Sequence, residues 1–382
     1  MNRRKVTVAV AVAAAGVVAG VAGLGVLAMP AGAGPAPELP QVDAQSLVES
    51  VLTAKPAAFG GTVDVNNSLG IPTIAGIPQL TDGASQIRMW TDGQGRARVS
   101  MPSGNSERTI VDDGETLWTW NSETQTVTKS PHGAVEPDAK PELGLGLGQD
   151  GKPLDPLSLA RDVVGEIEKT STVSVDGTAR VANRSAYELV FTPKPTERTV
   201  LREVRIAVDS ELRMPLRVAV LTNGTDEAAV QVGFSEITVG AQDAGLFQFT
   251  PSASAKVEDK KLEEPSDQDK AEAEKVLGQV APQVVGDGWD SVIVAKIPSD
   301  QFGGLQAPAD EPGKSDRPRR GGADQLDPQA LLKQLGKQVS GSWGSGTLIS
   351  SKIGNVLLAD DGRVALGAVP EQVLTEAIGQ VK

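Results

Sequence analysis

The sequence predicts a mainly β protein of the α+β class: a half-open antiparallel β-barrel with a helical lid, followed by a small C-terminal α/β sheet domain. Three observations support this. Apolar and polar residues alternate with a period of two through much of residues 59–239. Two segments with a helical period, 44–53 and 157–169, interrupt the alternation. A charged segment, 258–279, separates this region from a second group of short β-like runs.

The strands of the first region are predicted from alternation and from the turns between them. Early runs are separated by Asp92-Gly93, Asp113-Gly114 and a turn at 121–123, which are typical of hairpins. About ten strands fit a curved sheet that is incompletely closed and has one apolar face. After the second helix, the predicted strands are 171–181, 186–191, 200–208, 216–222 and 229–239.

Each predicted helix has a start signal. Asp43 can cap a helix from Ala44 to Thr53, whose apolar stripe includes Leu47. The second helix follows Asp155-Pro156, because proline is favoured at the first helical position. We expect both helices to cover the sheet.

The length of 382 residues favours two domains. In the second, the closing helix is predicted after Pro370, and 303–323 is predicted to be a surface loop from its composition. Its predicted strands are 291–297, 346–350, 355–358 and 364–369. The predicted segments are a signal peptide or N-terminal anchor (1–33), a linker (34–43), the half-barrel domain (44–257), a charged linker and helix (258–279) and a small C-terminal sheet-and-helix domain (280–382).

The N-terminus is typical of an exported protein. A cationic start at 1–5 precedes an uncharged run from Val6 to Met29 and then Ala31-Gly32-Ala33, a signal-peptidase spacing. We predict cleavage, with an uncleaved anchor formed by residues 6–29 as the alternative because that run could span a bilayer. Both alternatives predict an extracytoplasmic protein, secreted or in the cell envelope.

Composition argues against several classes of function. The chain has no cysteine, which excludes disulfides, thiol catalysis, thiolate metal sites and a lipid-anchored N-terminus. Its one histidine, His132, would have to act in any serine–histidine–aspartate triad, but the sequence has no nucleophile-elbow serine to pair with it. No zinc-protease or phosphate-loop motif is present. A net charge of −13 repels a phosphate backbone, so no nucleic acid is expected. We predict a protein that is not an enzyme and has no cofactor.

Two other patterns have plainer explanations. Adjacent carboxylates at Asp112-Asp113 and Asp360-Asp361 point to opposite faces of a strand, so they suit hairpin turns better than acid–base catalysis. The glycine-rich run 143–148 follows no clear strand and has no well-placed cation. It is predicted to be a mobile loop.

Two segments resemble proteins of the LolA-type lipoprotein carrier and RseB/MucB-like envelope sensor superfamily. Residues 246–257 read as a short strand with Phe247 and Phe249 on one face, closed by Pro251 and small residues, and this is similar to the end of that family's half-barrel. Residues 113–121 resemble its "DG-x-x-L-W-x-aromatic" hairpin. The region 280–382 is similar to the small domain that RseB-like proteins add.

The resemblance implies an exported, non-enzymatic carrier or sensor that binds a lipid or an acylated, lipoprotein-like ligand in a hydrophobic half-barrel cavity. The alternative is an RseB-like regulator that binds the extracytoplasmic part of a membrane protein such as an anti-sigma factor. The second domain favours the regulator, because a simple carrier does not need it. A purely structural envelope protein is a third possibility.

Large apolar residues that share a strand face are the candidate ligand contacts. An ordinary core would explain them, but a half-barrel too curved to fill its interior would leave them lining a cavity. Methionine adapts to acyl chains, and tryptophan offers a wide flat contact. We predict an apolar cavity between the sheet and the helix at 157–169, with candidate residues Ile87, Met89, Val99, Met101, Trp118, Trp120, Leu189 and Phe191.

Overall fold

The computed structural model describes residues 36–70, 83–131, 165–259, 282–296 and 336–381. Several predictions lie outside these residues: the signal peptide or anchor, His132, the glycine-rich run 143–148, the first part of the helix at 157–169, most of the charged segment 258–279 and the loop 303–323. Within the described ranges, no helix is both long enough and apolar enough to cross a membrane.

The described residues between 59 and 259 contribute twelve strands to one large sheet that does not close into a barrel. Its spatial order is β12-β6-β5-β4-β3-β2-β1-β11-β10-β9-β8-β7, so β12 and β7 are the two edges. All neighbours are antiparallel except β12, which runs parallel to β6. The predicted open antiparallel sheet is confirmed, with two strands more than the ten expected. The strands are β1 Phe59–Asn67, β2 Gly83–Thr91, β3 Ala97–Ser103, β4 Ser106–Asp112, β5 Thr116–Asn121, β6 Thr126–Pro131, β7 Ser171–Val181, β8 Arg184–Pro193, β9 Leu201–Asp209, β10 Pro215–Thr222, β11 Ala228–Val239 and β12 Lys256–Asp259.

Helix α1, Ala44–Leu52, forms where its sequence signals predict it. The Asp43 carboxylate accepts the backbone N–H of Ser46 at 2.9 Å, which satisfies one of the free donors of the first turn. Leu47 is fully buried against a cluster on β8 and β9. Leu39 and Val42 pack against the same cluster, so the end of the predicted 34–43 linker is part of the core. Of the second predicted helix, residues 165–170 are described and are helical.

The strand register defines two faces of the sheet. Directly paired residues of neighbouring strands point to the same side. Leu189 on β8 is linked in this way through Ile206, Val218 and Val232 to Val65 on β1. We call this side the helix face, because α1 packs on it, and the opposite side the tail face. The tail face is partly covered by the tail, residues 240–255.

The tail does not form the short strand predicted before Pro251, with Phe247 and Phe249 on one face. It has a 3-10 turn, Ala244–Phe247, and pairing resumes only at Lys256. The turn is favoured because the Asp243 carboxylate accepts the N–H of Gly245 at 2.8 Å, and Pro251 has no N–H to give a ladder. Phe247 is buried, and the ring of Phe249 lies 5.6 Å from that of Trp118. Both phenylalanines therefore fasten the tail to the sheet.

The C-terminal domain is a six-stranded sheet with one helix, α2 Glu371–Gln380, packed on it. Every described pairing in this sheet is antiparallel, so the predicted α/β class is wrong for this domain. Four predicted strands and the helix after Pro370 are confirmed, and β13 and β15 were not predicted. The strands are β13 Gln283–Val285, β14 Val292–Lys296, β15 Lys337–Gly341, β16 Gly344–Ser351, β17 Gly354–Ala359 and β18 Arg363–Gly367, in the order β13-β14-β18-β17-β16-β15.

The two domains are joined by backbone hydrogen bonds and by a shared apolar cluster. Val200 N–H donates to the carbonyl of Ala368 at 2.9 Å, and Lys352 N–H donates to that of Leu69 at 2.8 Å. Trp289, together with Ile353, packs against the buried residues at the ends of β9, β10 and β11. Backbone groups of the two domains are therefore hydrogen-bonded to each other across the junction.

Candidate functional site

Six of the eight predicted ligand-contact residues share the helix face. Met89 pairs with Val99 across β2 and β3, and Ile87 and Met101 lie two residues along the same strands. Met89 pairs with Gly61 on β1, and Gly61 lies on the same face as Val65. Because Val65 shares the helix face with Leu189 and Phe191, Met89 does too. Alternation predicted which residues share a face within each strand, and the register brings these six to one side of the sheet.

Trp118 and Trp120 lie on the tail face instead. Val99 pairs with Ile110, and Ile110 pairs with Thr119, so the two tryptophans that flank Thr119 point away from Met89 and Met101. The prediction that the two tryptophans line one cavity with these methionines is therefore wrong. A ligand-binding role for any of the eight stays a prediction.

Trp118 has a full set of contacts within the tail face. Its indole N–H donates to the Asp113 carboxylate at 2.8 Å, and the same carboxylate accepts two backbone N–H groups of the hairpin turn. The Lys129 ammonium lies 5.4 Å from the ring centre, a cation–π distance. The predicted hairpin role of Asp112-Asp113 is confirmed, and Trp118 anchors both this turn and the tail.

The helix-face residues divide by burial into a core and a strip. Leu189 is 3% exposed, and it packs with Phe191 in the cluster beneath α1. The large apolar residues that β2, β3 and β4 place on the helix face are only half-buried. We call them the apolar strip: Ile87, Met89, Val99, Met101 and Ile110. Ile110 was missed by sequence analysis, although the alternation of β4 places it opposite the buried Thr109 and Val111.

The domain junction contains an acidic group with an unusual environment. Glu197 accepts the backbone N–H of Trp289 at 2.8 Å. Burial raises the pKa of Glu197, and the nearby carboxylates of Asp290 and Asp287 raise it further, against the effect of the N–H bonds. A cleft of about 500 Å³ opens elsewhere at the junction, lined mainly by Thr199, Thr222, Asn223, Thr225 and Lys352.

This environment predicts a pH-dependent effect of Glu197→Gln. Since the folded-state pKa is raised, ionised Glu197 lowers stability at neutral pH, and this penalty disappears as the pH falls below the unfolded-state pKa of about 4.3. Glutamine still accepts the Trp289 N–H. We expect Glu197→Gln to raise Tm by about 2 °C at neutral pH, with the gain vanishing near pH 4. Thermal unfolding across this pH range measures it.

A matched control is Glu227→Gln, which removes the same charge from an exposed residue. Its effect on Tm should be small and should not change with pH in the same way. An equal rise in Tm for Glu197→Gln at neutral and at acidic pH would contradict a raised pKa of Glu197 as its cause.

No group of three or more histidine, aspartate or glutamate side chains suited to a metal occurs in the described ranges.

No protein-family model matches the chain, and no curated protein matches it. Solved structures do. The MucB structure in the Pseudomonas aeruginosa MucA/MucB complex is 14% identical, with 87% of this chain and 95% of that chain covered and a TM-score of 0.39.

The chain is similar in fold to MucB and to the LolA superfamily. A crystal structure of MucB is 15% identical over 88% of this chain and 96% of that chain, with a TM-score of 0.38. A LolA superfamily protein from Nitrosomonas europaea is 11% identical over 55% of this chain and 99% of that one, with a TM-score of 0.22. These are the two groups that the sequence motifs resemble.

Proposed function

We propose that this chain is an exported, non-enzymatic binding protein that holds an apolar ligand, either a lipid or an acylated protein segment, against the apolar strip of the helix face. The observation that supports the proposal is that five large apolar side chains on three adjacent strands share one face and are only half-buried. A packed core would have buried them as it buries Leu189.

The position of α1 is consistent with this division of the face. The helix packs on β8 and β9, while the strip lies on β2, β3 and β4, which are further along the same sheet. Core packing and ligand contact would therefore use different parts of one continuous apolar surface. Two of the five strip residues are methionines, whose flexible side chains adapt to acyl chains of different shape.

The energy available from such a surface is adequate for reversible binding. Burying about ten methylene groups contributes roughly 8 kcal/mol, at about 0.8 kcal/mol for each. The entropic cost of association and of ordering the chain removes several kcal/mol of this. The remainder corresponds to weak, millimolar binding, because a Kd of about 1 μM requires about 8 kcal/mol. An acyl chain longer than about ten methylene groups is therefore needed for micromolar retention.

The second candidate is a regulator that binds the extracytoplasmic part of a membrane protein, such as an anti-sigma factor. The domain junction favours it, because a fixed C-terminal domain adds a large surface that a simple carrier does not need. Native mass spectrometry of the protein purified from its own envelope separates the candidates. A retained lipid supports the carrier or sensor, and a retained protein segment supports the regulator.

The apolar strip is tested by Met89→Asp and Met101→Asp. A carboxylate in an apolar contact surface loses solvation without gaining a partner, so each variant should bind a fluorescent fatty acid at least about tenfold more weakly. The fold should survive, because the two side chains are half-exposed and solvent can reach the new charge. Fluorescence titration beside circular dichroism measures both effects.

The matched control is Val257→Asp, which introduces the same charge at an exposed apolar residue of β12. It should bind like the unmodified protein. Normal binding by folded Met89→Asp and Met101→Asp variants would refute the strip as the ligand site. Loss of structure together with binding would show that these residues belong to a packed core.

A further inference from the structure

A cleft of about 440 Å³ lies on the tail face, between the 3-10 turn of the tail and strands β2, β3 and β4. The register places its sheet residues side by side: Arg88 pairs with Ser100, and Trp90 pairs with Arg98. The tail closes one side of the cleft with Asp243, Gly245 and Leu246. The cleft is on the opposite face from the apolar strip, so it is a separate site.

The two arginines of the cleft have donors to spare. Among the described residues, no carboxylate lies within ion-pair distance of Arg88 or Arg98, whereas most arginines of β8, β9 and β10 are paired. Arg98 donates one N–H to the carbonyl of Leu246 at 3.3 Å, which leaves the rest of its guanidinium available. Arg88 is exposed at the cleft rim. Two guanidinium groups on neighbouring strands, neither paired with a carboxylate among the described residues, can bind an anion.

The two acids of the cleft are already engaged by hydrogen bonds. Glu107 accepts from the hydroxyls of Ser100 and Thr109. Asp243 accepts the backbone N–H of Gly245 at the start of the 3-10 turn. These contacts hold the carboxylates at the cleft wall. They also keep two negative charges near any bound anion, which favours a single carboxylate group in the cleft over a doubly charged phosphate group.

Trp90 supplies a flat apolar surface in the cleft, two residues from Arg88 on β2 and directly paired with Arg98 on β3. Its indole lies directly over the backbone of β1 at Gly60, where an added Cβ would stand 2.4 Å from Trp90 Cδ1. Because Gly60 has no side chain, the Trp90 ring can pack closely against the β1 backbone. Trp90 is half-exposed, so one part of it remains to contact a ligand. A short aliphatic stem beside a carboxylate would pack on this ring while the carboxylate reaches Arg88 and Arg98.

We propose that the tail-face cleft binds the side-chain carboxylate of an acidic peptide segment from a partner protein. The overall charge of −13 does not prevent this, because charges beyond about 8 Å are screened at physiological salt. Within the cleft, the carboxylates of Glu107 and Asp243 are held by hydrogen bonds, whereas the guanidinium groups of Arg88 and Arg98 have no ion-pair partner among the described residues. The same overall charge disfavours an anionic membrane surface as the occupant, since a membrane approaches the whole protein rather than one cleft.

The probe is an N-acetylated, C-amidated triglutamate peptide, titrated into the full-length protein by calorimetry. We expect binding that weakens with added salt, no binding of the triglutamine peptide, and weaker binding of inorganic phosphate. Arg88→Gln should weaken binding about tenfold, and Arg98→Gln by at least as much, because each loses a charge-assisted hydrogen bond. Arg88→Gln breaks no hydrogen bond within the described part of the chain, so its fold should be unchanged.

The matched control is Arg108→Gln, which removes the same charge from an exposed arginine on the helix face and should leave binding unchanged. Gly60→Ala provides a charge-neutral test, because it displaces Trp90 and should weaken binding several-fold. Equal binding by the unmodified protein and the Arg88→Gln/Arg98→Gln double variant would overturn the proposal, as would absence of binding to the unmodified protein. Tighter binding of phosphate than of the peptide would overturn the choice of a carboxylate. None of these outcomes affects the apolar strip, whose fatty-acid titration is independent.

Discussion

Replacing Asp209 with alanine should lower the free energy of unfolding of the large domain by about 3 kcal/mol or more. The Asp209 side chain is fully buried and forms a salt bridge with Arg184. Its Oδ1 also accepts the backbone N–H groups of Glu211 and Leu212, each at 2.8 Å. Alanine would leave a half-buried guanidinium and two turn donors without this acceptor. Removing one partner of a buried pair costs more stability than replacing both, because the remaining group stays buried without a partner.

The acid dependence of the same contact has a definite sign. Burial alone would raise the pKa of Asp209, but the hydrogen bonds from Arg184 and the two N–H groups outweigh it and hold the pKa below its usual range. The stabilisation from Asp209 is therefore fully present above the unfolded-state pKa of about 3.9 and is lost as the pH falls through the lower folded-state pKa. The Asp209→Ala variant should lack this component of acid unfolding.

Urea unfolding followed by tryptophan fluorescence measures the loss of stability. Glu211→Ala is the matched control, because Glu211 is an exposed partner of the same arginine, with its side chain 77% accessible. Its removal should cost less than about 1 kcal/mol. Similar losses for Asp209→Ala and Glu211→Ala would contradict the view that the buried partner dominates this network.

Replacing Arg363 with methionine should have an effect of similar size in the C-terminal domain, about 3–5 kcal/mol. Arg363 is 9% exposed. Its guanidinium donates to the carbonyls of Ile378 and Val381 at the end of α2, at 2.6 and 2.7 Å, and to that of Trp343 at 2.6 Å. Asp361 supplies the balancing carboxylate. One side chain thus satisfies carbonyl groups at the helix end that have no partner within the helix.

The expected result is early exchange of the amide protons of α2 together with a lower unfolding midpoint for this domain. Hydrogen exchange and chemical denaturation measure the two effects. Arg363→Lys should recover only part of the loss, because an ammonium cannot reproduce the fork of the guanidinium. The control is Lys337→Met, which breaks an exposed pair with Glu371 and should change little. Wild-type stability of Arg363→Met would show that water replaces the lost donors.

Features set by neighbouring residues were predictable from the sequence. The Asp-Gly hairpins and the Asp43 cap depend on contacts within a few residues, and the structure contains them. Gly93 and Gly114 have φ values of 71° and 94°, in the left-handed region that favours glycine. The two faces of a single strand were predictable for the same reason, since alternation alone decides them.

The relation between strands was not predictable in this way. Trp118 and Met89 each lie on a clear face of their own strands, but only the register decides whether the two faces coincide. The tail-face cleft likewise forms because the 3-10 turn crosses β3, a contact between residues distant in sequence. Short or polar strands such as β12 and β15 are fixed by the neighbours they pair with, and their residues do not alternate strongly.

The place of β1 in the sheet has a consequence for how the chain folds as it is made. β1 is the first strand in sequence, yet it lies in the interior of the sheet, with β2 on one side and β11 on the other. The hairpins from β2 to β6 can close soon after synthesis, because their contacts are local. β1 keeps one row of backbone donors and acceptors open until residues 228–239 have followed. A nascent chain stalled before that point exposes a strand edge to its neighbours, so aggregation can compete with folding until β1 has paired with β11.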